Sequence, residues 1–213
     1  MNRNFEFKQL LRAFRGGIID EATFEAEVAA LENSSPVTNG HRGFVAFGKS
    51  FASEKEAILE FLDNARAAEA NGADAFNGWV KSCKTECIYT GIQMIAEREA
   101  YHSRIFAKRL ADLGGTQRAG NTERGRKLTQ TLSGTEKTDP QKFLYITSNF
   151  GKPEEAIAPL KAFGESIKED LGTKEAVRLF CEDELSSAKW LWDTCAALNA
   201  DSAKTSASAS ASM

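Results

Sequence analysis

Histidine and cysteine are scarce in this sequence: there are two His, His41 and His102, and four Cys. No CxxC pair occurs, so zinc sites built from four cysteines and rubredoxin-type iron centres are not expected. The chain also lacks GxGxxG, a Walker-type GxxxxGKS/T and GxSxG. The common nucleotide-binding and nucleophile routes therefore have no support. No apolar run approaches the roughly 18–20 residues needed to span a bilayer, so no membrane partner is expected. The first residues, MNRNFEFKQLLRAF, carry charges inside their apolar pattern and no small-residue cleavage site, unlike a signal peptide. Four Cys are too few for a disulfide scaffold, and a cytoplasmic location is expected. Excess charge of one sign is missing too. With 27 Lys plus Arg against 30 Asp plus Glu, the net charge is −3, which argues against a nucleic-acid partner held by bulk positive charge. At 42% hydrophobic and 27% charged residues, the chain is not disordered throughout. Its 213 residues allow one full-sized domain and a small appendage.

What is present is helical periodicity. Residues 1–35 read as a helical hairpin. Phe7, Leu10, Leu11 and Phe14 share one face, Gly16-Gly17 ends that helix, and Asp20 is a natural N-cap for a second with Phe24, Val28 and Leu31. Residues 36–52 read as a linker, rich in Gly and polar residues, whose Phe44, Phe47 and Phe51 pack onto the main domain. The stretch around Phe44–Phe47 is the one place where a strand stays open. Residues 53–200 form the main domain, and the tail 201–213 (DSAKTSASASASM) is low-complexity and expected to be disordered.

In the main domain, Ser53 to Glu56 spells a capping box. A seam then runs through Ile58, Leu62, Ala65, Glu69, Gly72, Phe76, Trp79 and Cys83. A second helix carries Ile88, Ile92, Ile95, Glu99, His102, Phe106 and Leu113, and stops at Gly114-Gly115. Residues 115–138 look like a long polar connection. Asp139-Pro140 opens a short helix and Pro153 another, the latter with Ile157, Leu160, Gly164 and Ile167. Thr173 is expected to cap the last helix, with Val177, Cys181, Glu184, Ala188, Leu191, Cys195 and Leu198 on its seam. Two antiparallel helical hairpins joined by a long connection make an all-α, antiparallel four-helix bundle with an N-terminal helical hairpin.

The exceptions on the seams carry the chemistry. A seam facing a core should be apolar, because an unpaired buried carboxylate is very costly. Glu69, Glu99, His102 and Glu184 nevertheless sit on seams. Glu69 lies about 15 residues before the turn near Lys84 and Glu99 about 15 after it, so at roughly 1.5 Å per residue they meet at one level. Glu99-x-x-His102 sets a carboxylate and an imidazole one turn apart on one face. Opposed carboxylates repel unless a proton or a cation lies between them. A divalent metal satisfies them, and oxygen and nitrogen ligands suit iron, manganese or zinc.

A Glu on one helix followed about 30 residues later by Glu-x-x-His, over residues 53–200, resembles the ferritin-like superfamily on its rubrerythrin side. That resemblance implies a carboxylate centre of one or two ions, iron first, reacting with O2 or peroxide, with an external electron donor. The second half departs from the pattern. Ser187 stands where a second His would be, and the third helix has no acid squarely on its seam. Glu165 is the nearest acid facing inward there, with Glu155 an alternative if Pro159 shifts the register. Likewise, FKQLLRAFRGGIIDEATFEAEVAALE resembles the short C-terminal domain (SHOCT) family, placed here at the N-terminus. This implies an oligomerisation or targeting module and a homo-oligomer; a hairpin that merely packs on the main domain is the alternative.

The expected metal ligands are therefore Glu69, Glu99, His102, Glu184 and Glu165. The predicted function is a metal-binding, ferritin-like oxidoreductase. The alternative is a catalytically inactive pseudo-ferritin serving as a scaffold, its Glu/His set held by hydrogen bonds. A single-metal hydroxylase of a small organic substrate is a third reading. His41 reads as a surface or packing residue, although it is the one imidazole that could replace the missing ligand. Tyr89 and Tyr101 read as packing or outward-facing residues. Cys83 and Cys87 flank the first turn and read as packing, Cys181 and Cys195 as core. The basic run Arg118–Lys127 reads as a solvated loop.

Overall fold

The structure, a computed structural model, describes residues 20–26 and 43–210, with the backbone alone for residues 201–210. The chain divides into two units, Met1–Arg42 and Gly43–Met213. In the first, residues 21–26 are helical and Asp20 caps them. The Thr23 N–H donates to Asp20 Oδ1 at 2.8 Å, and the Phe24 N–H to the Asp20 carbonyl at 2.9 Å. The rest of the expected helical hairpin lies outside the described residues.

The second unit is all-α apart from one short ribbon. Strands β1 (Phe44–Ala46) and β2 (Lys49–Phe51) pair antiparallel, with Phe44 opposite Phe51. The ribbon lies within residues 36–52, where the sequence left a strand open around Phe44–Phe47. Phe47 and Gly48 form the turn with φ of 52° and 72°, the positive values that a two-residue hairpin loop of right-handed strands needs. The strain at Phe47 is offset by packing. Its ring stacks on Phe61 at 6.0 Å and meets Phe163 at 5.0 Å.

Helix α1 (Glu54–Ser82) is capped by Ser53, whose Oγ accepts from the Glu56 N–H at 3.2 Å. The Glu56 carboxylate reaches back to the Ala52 N–H at 2.8 Å, one residue before the position a strict capping box uses. Helix α2 (Glu86–Asp112) follows after a tight turn and ends where expected. The N–H groups of Gly114 and Gly115 close it on the carbonyls of Ala111 and Leu110, both at 2.9 Å.

Residues 115–138 are not simply a connection. They contain α3 (Glu123–Ser133), capped by Thr122 and anchored against α1 by the fully buried Leu132. With Leu128 and Leu132 as its apolar contacts, this helix is too polar for periodicity to reveal. Helices α4 (Asp139–Phe150) and α5 (Pro153–Ser166) both pack on α6 (Leu171–Ser210). The last helix starts two residues earlier than Thr173. Asp170 is the residue that caps it, accepting from the Thr173 N–H at 3.0 Å and the Thr173 hydroxyl at 2.9 Å, while Arg109 pairs with the same carboxylate. The α6 backbone also stays helical through residue 210, where disorder was expected. That stretch holds alanine and lysine and no Gly or Pro after Asp201, which helix geometry accommodates.

The apolar core comes in two clusters. One gathers Ile58, Leu62, Phe106, Leu110, Phe163, Val177 and Phe180 beneath the hairpin. The other gathers Phe76, Trp79, Ile88, Ile92, Ile95, Phe143 and Leu191. On α1, α2 and α6 alike, the interval between the clusters falls on residues near 69, 102 and 184. No described helix is long and apolar enough to cross a membrane.

Candidate metal centre

The interval between the two apolar clusters is filled by acids and one imidazole. Glu69 and His102 are buried, 7% and 4% exposed, and Glu184 is half-buried. His102 Nδ1 lies 3.3 Å from Glu69 Oε2 and 3.6 Å from Glu184 Oε1. One ligand atom from each of the three residues falls within 4.8 Å of the others. Atoms bound to a common ion at about 2.1 Å lie up to about 4.2 Å apart, so small side-chain movements would close this set on a cation.

Glu99 completes the group. Its carboxyl lies against Gly72, where an added Cβ would stand 2.2 Å from Glu99 Oε2. Its carboxyl and that of Glu69 are hydrogen-bonding neighbours, which requires one of the two to keep a proton. The absence of a side chain at Gly72 is thus what admits Glu99. A Gly72→Ala change removes that room while improving helix propensity by up to about 1 kcal/mol. The expected outcome is an unchanged or higher urea midpoint for metal-free protein with metal affinity at least about tenfold lower, the range of a lost supporting contact. Paired denaturation and metal titrations read both effects.

Burial drives the electrostatics. It pushes the Glu69 and Glu99 carboxyls well above their ordinary value of 4.5, and the neighbouring carboxylates push the same way, Glu184 on Glu69 and both Glu69 and Glu184 on Glu99. Burial also raises Glu184, with His102 and Arg98 partly opposing it. Raised carboxyl groups bind protons in the folded state that the unfolded chain has released. Their contribution to stability is full below the ordinary value and is lost as pH rises through the raised ones. Metal-free protein should therefore lose stability as the pH climbs above about 4.5. Glu99→Gln should flatten that slope, which urea unfolding across pH would measure. A steeper slope in the variant would contradict this.

His102 is oriented from its far side. Its Nε2 lies 3.1 Å from Asp183 Oδ2. A proton on Nε2 donated to Asp183 leaves the Nδ1 lone pair facing Glu69 and Glu184, the usual arrangement for a metal-bound imidazole backed by a carboxylate. The rings of Phe106 and Phe180 flank the imidazole at 6.5 and 5.0 Å. A cavity of about 410 Å³ opens beside the group, with Glu69 and Glu184 in its wall alongside Phe47, Phe61, Leu160 and Phe180.

Four of the five expected ligands, Glu69, Glu99, His102 and Glu184, are brought together. The fifth is a correction: Glu165 is exposed on α5 and stands outside the group, as does Glu155. Phe163, Gly164 and Ile167 take the inward positions there, so the α-helical turn sends Glu165 outward. Ser187 is buried and accepts from Arg98 Nη1 at 3.1 Å. Asp183 and Arg98 are the contributors that periodicity missed. Each precedes a seam residue, Glu184 and Glu99 respectively, and an acidic pair at 183–184 was the one available hint. Tyr101 and Tyr89 are exposed, Cys181 and Cys195 are buried in the core, and all four thiols are free. His41 lies outside the described residues. The 118–127 run includes the first turn of α3, and the Arg118 and Ala119 N–H groups bind the Asp63 carboxylate at 3.0 and 2.8 Å.

Carboxylate oxygens with one imidazole nitrogen and no thiolate, the donor set among the described residues, would suit a hard or borderline divalent ion. No family model, curated protein or solved structure matches this chain.

Proposed function

We propose that the chain is a ferritin-like, rubrerythrin-like four-helix-bundle protein that binds iron, with manganese or zinc as alternatives, and acts as an oxidoreductase on O2 or peroxide. The observation that carries this reading is the convergence of Glu69, His102 and Glu184 on one buried point between two apolar clusters. Buried carboxylates at that density need a proton or a cation to offset their repulsion.

Glu69 and Glu184 would supply oxygen ligands and His102 its Nδ1. Asp183 would hold the His102 proton on Nε2, and Glu99 would steady the second oxygen of Glu69. Phe106 and Phe180 keep bulk water from the imidazole, whereas the cavity beside Glu69 and Glu184 gives small molecules a route inward. When bound, the metal supplies a Lewis acid and a redox couple. Electrons would come from an external donor. A homo-oligomer assembled through the N-terminal segment, in a reducing cytoplasm, is part of the same proposal.

The test is elemental analysis of protein purified without chelator and again after anaerobic reconstitution with Fe(II) or Mn(II). About one equivalent or more per chain is the expected result, and less than about a tenth of an equivalent would reject the reading. A second reading, an inactive pseudo-ferritin used as a scaffold, draws on the Glu69–Glu99 hydrogen bond and the Arg98–Ser187 contact, which hold the group together without a metal. Under that reading the elemental analysis stays blank, while deletion of residues 1–40 changes the sedimentation mass or the set of bound partners.

A further inference from the structure

The space beside Glu69 and Glu184 is larger than O2 or peroxide requires. The cavity there has a volume of about 410 Å³. A water molecule's share of the liquid is about 30 Å³, so a two-oxygen molecule would fill a small part of it. An apolar cavity of about 150 Å³ already holds one benzene ring. The walls are drawn from separate parts of the fold: Phe47 from the turn of the ribbon, Phe61 and Ala65 from α1, Leu160 from α5 and Phe180 from α6. We infer that this cavity is the binding site of a small, uncharged organic molecule with one or two apolar rings, seated beside Glu69 and Glu184. The inference goes beyond the metal-centre reading, because the seat is built by side chains that are not ligands and needs no ion.

Lining, charge and backbone geometry define the occupant. The rings of Phe47 and Phe61 lie 6.0 Å apart and 8° from parallel, and flat aromatic walls favour a flat aromatic guest. On α1, Ala65 and Ala68 both line the cavity, where larger side chains would fill it. Apart from Glu69 and Glu184, the charged groups in the wall are Lys49 and Glu60, which pair with each other at 2.6 Å. The mouth therefore offers no unpaired charge to a carboxylate or an ammonium, and apolar walls make a buried charge costly. A hydroxyl at one end of the guest could donate to Glu69 or Glu184, which sets its orientation. Phe47 adds an independent sign. Its φ of 52° lies in the left-handed region that a bulky side chain rarely adopts. Such strain persists where the surroundings over-determine it, commonly at ligand sites.

The experiment is isothermal titration of the full chain, stripped of metal, with phenol, indole and 2-naphthol, and with 2-naphthoate as the charged control of similar shape. One 2-naphthol per chain should bind with a Kd below about 1 mM, and 2-naphthoate at least about tenfold more weakly. Ala68 is exposed at the cavity's edge and Ala65 is half-buried in its wall. Ala68→Trp and Ala65→Phe should each weaken 2-naphthol at least about tenfold by filling the seat, with Mn(II) uptake as in the wild type. If Ala65→Phe does not fold, Ala68→Trp and the wild-type titration decide. Failure of all three neutral probes to bind would overturn the inference, as would unchanged 2-naphthol affinity in folded Ala68→Trp. Tighter binding of 2-naphthoate than of 2-naphthol would overturn the uncharged class. Mn(II) uptake without probe binding removes this inference and leaves the metal-centre reading standing; probe binding without Mn(II) uptake does the reverse.

Discussion

Replacing His102 with Ala is expected to lower Fe(II) or Mn(II) affinity by at least about 100-fold, beyond the 10–100-fold typical of supporting contacts. Among the described residues His102 is the single nitrogen donor of the group, and it touches three acids at once, at 3.3 Å from Glu69, 3.6 Å from Glu184 and 3.1 Å from Asp183. Without the ring, Glu69 and Glu184 face each other across a gap with no donor between them and no geometric reason to converge. Water can fill that gap and hold an ion weakly, so the change should read as lost affinity, not lost fold. Glu182→Ala is the matched control. Glu182 is exposed and pairs with Arg178 on the outer face of α6, an ion pair of the kind worth little. Isothermal titration of both variants with Mn(II) measures the contrast, and equal affinities would place the ion elsewhere.

The second large effect is on stability and lies at the α1–α2 turn. Asp139 is 5% exposed at the start of α4, yet it organises the α1–α2 turn. Its Oδ1 accepts from Trp79 Nε1 at 2.8 Å. Its Oδ2 accepts from the N–H groups of Lys84 and Thr85 at 3.0 and 2.9 Å, and from the Thr85 hydroxyl at 2.8 Å. Burial opposes ionisation of this carboxyl, but those hydrogen bonds outweigh it and hold the group below its ordinary 3.8. Its stabilising contribution is therefore present above that value and is lost as pH falls through the lowered one. Asp139→Ala strands these donors and leaves Lys142, 1% exposed and bonded to Ser82 Oγ at 2.8 Å, without its nearby negative charge. A loss of about 3–5 kcal/mol is expected, as for breaking a buried charge network. Asp139→Asn, which keeps one acceptor oxygen, should lose less. Urea unfolding near neutral pH measures both. A loss below about 1 kcal/mol for the Ala variant, the size of one ordinary hydrogen bond, would mean that the turn is held by packing alone.

These two sites were legible to different degrees. The meeting of Glu69 with Glu99 and His102 could be read directly, because α1 and α2 are joined by a short turn. Equal counts back from that turn set equal heights along both helices, and helical phase sets the inward direction. The heights of Glu184 and Glu165 depended instead on how α4 and α5 break and reseat the chain before α6, and no count along the sequence carries that information. Asp183, Arg98 and Asp139 act through contacts 54 to 89 residues distant in sequence, and such contacts leave no periodic trace. Helix α3 has too few apolar residues to announce itself, and the Phe44–Phe51 ribbon is short enough to pass for a loop.

By itself, then, the sequence determined the helical character of the main unit, the α1–α2 pair and the carboxylate–imidazole core on it, since each follows from local geometry and the cost of burying charge. The tertiary structure alone decided that Glu165 stays outside that core and that Asp183 orients the imidazole. Those choices depend on the relative seating of helices, which is settled by packing between elements distant in the chain.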